Sequence, residues 1–176
     1  MLAKLIRCGV DAAERERFAR AQAAWSELTG HDGLLVQVGG WTDDGTEALV
    51  IALWRDVKSH ERFLADEHDR IVAASGQDAT YRSIDVQLVA DVGIVLGEEN
   101  DPVAAFAEAA RFCVSTAPGA LTRGDWRSPG MRMTLIGGSV DAPWIGSAWS
   151  AEPPDDVGTS VRPEPEWIVV GSGPPR

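Results

Sequence analysis

Residues 34–54 read LLVQVGGWTDDGTEALVIALW. Two β-rich runs, Leu34 to Trp41 and Glu47 to Trp54, flank the turn-forming cluster Asp43, Asp44 and Gly45, a pattern that predicts an antiparallel hairpin. On either side the period changes to that of a helix. Upstream, Phe18, Ala21, Trp25 and Leu28 form one apolar stripe in a helix predicted over Asp11 to Thr29, with Asp11 and Glu14 at capping-box spacing and Gly30 as the stop. Downstream, Phe63, Leu64, Ile71 and Val72 define the buried side of a helix predicted over Val57 to Ser75, and His60 and His68 flank Leu64 on that side. Strands from Leu2 to Val10 and through Tyr81 to Ala90 complete βαββαβ, the order of a ferredoxin-like α+β unit.

The pattern then restarts. Val92 to Leu96 reads as a strand, and Asn100 or Asp101 caps a helix with Pro102 at its first position. Val103, Phe106, Ala110 and Cys113 would be the apolar stripe of that helix, and Pro118-Gly119 its end. Strands from Ala120 to Trp126 and from Met131 to Val140 follow. The second helix is then missing, because the Pro- and Gly-rich stretch from Asp141 to Glu166 forbids a long one. Trp167 to Val170 supplies a closing strand. The expected organisation is therefore a tandem repeat with a degenerate second half: a first repeat over residues 1–91, a second lacking its second helix over 92–170, and a flexible tail over 171–176. Trp144 and Trp149 are expected to pack down, since solvated linkers rarely carry indoles, filling the space of the lost helix or, as the alternative, walling a pocket.

Composition narrows the function classes. The chain has 176 residues, 44% of them hydrophobic, enough for a packed core. A formal net charge of -11, with no basic stripe to offset it, makes nucleic acid and anionic membrane poor partners. The chain lacks a signal-like start and an apolar run long enough to span a bilayer, which places it in the cytoplasm as an expectation. Cys8 and Cys113, with no CxxC spacing or Cys/His cluster, are expected to be two reduced, packed thiols, with a structural disulfide between them as the alternative. His31 is expected to be solvated in its loop. Gly39-Gly40 lacks phosphate-loop spacing and suggests a bulge or a close backbone approach.

Strand alternation suggests that Arg7, Gln37, Asp85 and Gln87 share one face of the first sheet, either lining a polar pocket or bridging the two half-sheets. His60 and His68 stand eight residues apart, about 12 Å along a helix axis, and cannot easily share one ion, so no metal is expected. His68 and Asp69 are adjacent and could form a local acid/base pair, although consecutive helical side chains diverge by about 100°.

The run Lys4-Leu5-Ile6-Arg7-Cys8, followed by Gln22 and Trp25, Gln37, Gly39-Gly40-Trp41, Trp54, and Phe63 with His68-Asp69-Arg70-Ile71, resembles the YdbC-like family of uncharacterised bacterial proteins. The second half is similar only in outline, through its restarted βαββ and the closing Glu164-Pro165-Glu166-Trp167. The resemblance implies a ferredoxin-like fold of the dimeric α+β barrel group, which also holds antibiotic-biosynthesis-type monooxygenases and haem-degrading oxygenases. In the monooxygenase-like members a Trp ends the third strand and a His follows in the next helix, as Trp54 and His68 do here. Where haem-degrading members place their iron-binding His, this chain has Phe63-Leu64, and where their first strand offers Asn it has Arg7 and Cys8.

The resulting expectation is a small-molecule-binding α+β barrel with its pocket between helices and sheet. His68 and His60 are the candidate catalytic residues, and Trp25, Trp54, Arg7, Gln37 and Asp85 the candidate substrate-binding residues. The chemistry implied is that of a cofactor-independent monooxygenase. The alternatives are a non-catalytic binding or assembly module and, less favoured, a haem-binding protein. A homodimer is expected if the eroded second half leaves a sheet face uncovered.

Overall fold

A computed structural model describes residues 1–116, 129–139, 143–155 and 157–172, with the side chain of Leu96 also left undescribed. The first half contains β1 (Leu2–Gly9), α1 (Arg15–Ala23), β2 (Leu34–Thr42), β3 (Glu47–Trp54), α2 (Val57–Phe63), α3 (Asp69–Ser75) and β4 (Ser83–Val89). The second contains β5 (Gly93–Gly97), α4 (Pro102–Ala107), β6 (Arg111–Ser115), β7 (Met131–Gly138), β8 (Pro143–Trp149), β9 (Thr159–Pro163) and β10 (Val169–Val170). The described strands join in one sheet of order β4-β1-β3-β2-β9-β6-β8-β7-β5, with β10 also pairing β2. The run β4-β1-β3-β2 is the strand order of a ferredoxin-like unit. All of its ladders are antiparallel, including the β2–β3 hairpin read from residues 34–54.

The helices depart from their predicted outlines. The first is flanked by 3₁₀ turns at Ala12–Glu14 and Ala24–Leu28, and no side-chain cap forms at Asp11. The Asp11 carboxylate instead accepts from Arg82 at 3.1 Å. The predicted helix over 57–75 is divided by a π turn at Leu64–His68, whose wider turn rotates the face that follows, and Leu64 is left 40% exposed. Asp101 caps α4 as expected, accepting from the Val103 amide at 2.9 Å. The helix nevertheless ends at Ala107, so the predicted stripe fails beyond Phe106 and Cys113 lies in β6. The β-rich Phe112-Cys113-Val114 prefers pairing with β8 and β9 to a third helical turn. The strand expected over Ala120 to Trp126 lies outside the described residues. Residues 141–166, expected to be irregular, hold β8 and β9, with Trp144 and Trp149 both buried in β8.

Two apolar layers follow from strand alternation. On one side of the first sheet, Leu5, Val38, Leu49, Ile51 and Leu53 meet Phe106 of α4 and Phe112, Met133, Leu135 and Trp144 of the second half. This is where Trp144 is absorbed. On the other side, Leu2, Leu34, Ala52 and Trp54 pack beneath Leu28, Phe63 and Ile71 from the helical segments, and Cys8, Val50 and Trp167 pack around Phe18. The halves are also joined by a charged clamp. Arg111 of β6 donates to Asp43 in the hairpin turn at 2.8 Å and to Glu152 through two nitrogens at 3.0 and 2.8 Å.

The double glycine of β2 is a close backbone approach. A Cβ on Gly40 would overlap the Arg162 carbonyl oxygen, and one on Gly39 would press on Val50 and Trp167. Gly40 pairs with Pro163, so the missing side chain is what lets β9 close onto β2. Beyond β10, Gly171 donates to the Leu35 carbonyl and Ser172 to that of His31.

Candidate functional site

Residues opposite one another in a ladder project from the same face. Lys4 of β1 pairs with Ala52 of β3, and Ala52 pairs with Gln37 of β2, so the three form a row on the helix-covered side. Arg7 pairs with Leu49 and Asp85, which puts it on the other side. The expected common face for Arg7, Gln37, Asp85 and Gln87 is therefore wrong for Gln37. A polar residue between two apolar ones marks an alternation but does not say to which side of the sheet it belongs. Arg7 lies 3.7 Å from Glu47, so its carboxylate neighbour is not Asp85.

Between the row and the helices lies a cavity of about 250 Å³. Its floor is Lys4, Ile6, Cys8, Gln37, Ala52 and Trp54, and its roof includes Trp25, Leu28, Phe63, His68 and Val72. Of the sequence-derived candidates, Trp25, Trp54, Gln37 and His68 come together here, while Arg7, Asp85 and His60 do not line it. Trp25 is held by its indole N–H donating to Gln77 Oε1 at 2.8 Å, and Gln77 donates to Gln22 Oε1 at 2.7 Å. Ile84 and Val86 of the edge strand β4 form an exposed apolar lip.

Phe63 is the hub of the aromatic wall. Its ring stacks on Trp54 at 4.9 Å and meets Trp25, His31, His60 and His68 at 5.7 to 6.2 Å. The histidines around it are thus separated by a hydrocarbon ring, and no cluster that could hold a metal occurs among the described residues. His60 is 3% exposed and set edge-on to Trp54 at 5.4 Å, and its Nε2 has no hydrogen-bond partner among the described residues. Burial, with smaller contributions from the positive charges of Lys4 and His68, holds it down at about 4, so it is neutral at physiological pH. His68 is 30% exposed, and its Nδ1 lies 2.9 Å from the carboxylate of the fully solvated Asp69. Neighbouring helical positions do diverge, but Asp69 reaches back to the ring, so the local pair forms. His31 is packed rather than solvated: it lies 5.6 Å from Trp54, with Nε2 3.1 Å from Glu67.

Two further floor residues have their protonation set by burial. The Cys8 thiol is pushed up to about 12, which leaves it protonated and non-nucleophilic. Lys4 is lowered from the ordinary lysine value by desolvation, and among the described residues no carboxylate pairs with it. From sequence, Lys4 figures only within the family-like run Lys4 to Cys8, without a role in the site. Its signal was the small Ala52 opposite, which becomes meaningful only once the register of all three strands is known.

The arrangement defines a class, an α+β barrel of the monooxygenase-like fold. Over 85% of the chain the fold superposes on 75% of a provisionally named monooxygenase from Fusobacterium nucleatum, with a TM-score of 0.60 and 12% identity. It also superposes, over 88% of this chain and 79% of the other, on an anthrone oxidase-like protein, with a TM-score of 0.53 and 19% identity. Within that class the chain belongs to the family described as "Domain of unknown function (DUF4937)", which matches residues 2–89. YdbC of Bacillus subtilis (strain 168) is 38% identical over 89 residues, covering 49% of this chain and 75% of the relative. The family match thus spans the half that carries the cavity. No helix among the described residues is long and apolar enough to cross a membrane.

Proposed function

We propose that the protein binds a small aromatic molecule between its helices and first sheet, and that His68 acts there as proton acceptor in a cofactor-independent oxygenation. The observation that carries this reading is an aromatic cavity whose lining includes a histidine held at Nδ1 by a carboxylate. With Nδ1–H donated to Asp69, Nε2 is the nitrogen left to take a proton from a phenol or enol. The resulting anion is the electron donor: a ring CH₂ becomes C=O, one oxygen atom of O₂ is retained and the other leaves as water. The cavity is smaller than the ~300–1,000 Å³ of drug-sized sites, which favours a compact substrate.

A purely binding role is the second reading. It is favoured by the burial that makes Cys8 unreactive and by the position of His60 behind Trp54, outside the cavity, which leave His68 without an evident catalytic partner among the other candidates. A homodimer belongs to the proposal as well, through the exposed Ile84, Val86 and Leu88 of edge strand β4. The two unpaired, buried thiols support a reducing compartment, the cytoplasm. The tandem repeat is proposed on the same footing, with the second half supplying in one chain the cover for the first sheet.

Native mass spectrometry of freshly purified protein, set against the same sample denatured, tests binding and assembly together. We expect the mass of two chains carrying a small organic species that is lost on denaturation. A monomer would sink the dimer. If the folded protein is empty and candidate phenols leave its tryptophan fluorescence unchanged, the binding reading falls. Oxygen uptake that persists unchanged in His68→Ala would remove the proton-acceptor role and leave the second reading.

A further inference from the structure

The floor of the cavity has a chemical polarity that the oxygenation reading does not use. Lys4, Ala52 and Gln37 lie in register across β1, β3 and β2, with β3 in the middle. Two strand spacings separate the outer pair, so their Cα atoms stand about 10 Å apart with only the methyl group of Ala52 between them. Both outer side chains line the cavity; Gln37 Nε2 is buried without a hydrogen-bond partner among the described residues, and no hydrogen bond or ion pair of Lys4 occurs among them. Gln37 is 5% exposed, and its Nε2 is shielded from solvent, a state that buried amides avoid because it forfeits their bonds to water. Trp54, two residues along β3 and on the same face, also has a buried indole N–H without an acceptor among the described residues. Donors thus collect on the floor without acceptors among the described residues.

We infer that the occupant is a small aromatic anion, its oxyanion seated over Ala52 between the Lys4 ammonium and the Gln37 carboxamide, and its ring against Trp25, Trp54 and Phe63. This deepens the binding reading above and rests on it. A bound oxyanion supplies the countercharge that Lys4 lacks and the acceptor that Gln37 lacks, and charge-assisted bonds of this kind are the strong ones. Burial alone already disfavours the charged form of Lys4, which is the cost an anionic ligand would relieve. A larger residue at position 52 would occupy the place where the oxyanion sits.

The test is a titration of the full chain, followed by calorimetry, with 2-naphthoate and with its neutral counterpart 2-naphthylmethanol. We expect the wild type to prefer the carboxylate by about tenfold or more, the scale of a hydrogen bond to a charged group. Lys4→Met should erase that preference while leaving the alcohol's affinity within about twofold, a change within the scatter of an uncharged contact. Gln37→Glu, which gives Lys4 a carboxylate of its own, should abolish carboxylate binding and spare the alcohol, so the inference stays testable if one variant fails to fold. Equal affinity for the two probes in the wild type overturns the anion inference and leaves the aromatic pocket standing. Equal loss of both probes in both folded variants overturns it too, because that is the signature of a damaged pocket. If neither probe binds the wild type, the inference is overturned, and the mass spectra decide the pocket reading separately.

Discussion

His60 shows how little a residue's chemical type says about its work. Packed against Trp54 and Phe63 with no hydrogen bond to Nε2 among the described residues, it is kept neutral by burial, and its folded value of about 4 lies below the ordinary 6.5. The unfolded chain therefore binds more protons between those values, and stability must rise with pH across that window. The contribution is complete above pH 6.5 and is lost as the pH falls towards 4, where protonation would place a charge beside Lys4 and His68. Thermal melts should show Tm declining over this interval, and His60→Gln should flatten the decline. An unchanged slope would mean that other groups set it. Cys8 and Cys113 obey the same physics, with burial pushing the two thiols to about 12 and about 11. Residue identity suggested candidates for chemistry, and only burial separated His68, which meets the cavity, from His60, which does not.

Among the elements, β2 carries the most constraint. It pairs with β3, β9 and β10, so it joins the family-matched half to the rest of the sheet. Gly40 makes that junction possible, since any side chain would strike the backbone of Arg162. Gly40→Ala should destabilise the protein by about 1–3 kcal/mol, the usual range for overpacking, as read from the shift of a urea midpoint. A loss within error would show that β9 can move away without cost. The helices teach the opposite lesson. Periodicity located the segments over 11–29 and 57–75, but it could not show the 3₁₀ flanks or the π turn at Leu64–His68, because those follow from fitting the aromatic ring cluster rather than from local propensity. The failure of α4 beyond Ala107 has the same origin: pairing with β8 and β9 outweighs an apolar stripe that would have suited a helix.

For the whole molecule, the inner face of the first sheet is buried by the second half of the same chain, and Arg111 ties the two together outside that core. Its side chain is 10% exposed, while Asp43 and Glu152 are 68% and 66% exposed. Removing the cation would release both carboxylates to water, so the penalty should fall short of the ~3–5 kcal/mol of a fully buried pair. Arg111→Met is expected to cost about 1–2 kcal/mol in urea unfolding, and less at high salt, where pairs with solvated partners are screened. A cost independent of salt would assign the role of Arg111 to packing rather than charge.

The sequence by itself determined the βαββαβ order, the hairpin at 34–54, the α+β class, and the tryptophans and histidines from which a pocket would be built, because these follow from local periodicity, turn chemistry and motif. Only the tertiary structure decided which side of the sheet Gln37 faces, that Lys4 and Gln37 flank Ala52, that His60 is sealed away while His68 meets the cavity, and that the Pro-rich stretch supplies β8 and β9. The physical reason is that a strand's alternation repeats every two residues and is identical for either side of a sheet. The choice of side is made by what packs against each, and that lies far away in the chain.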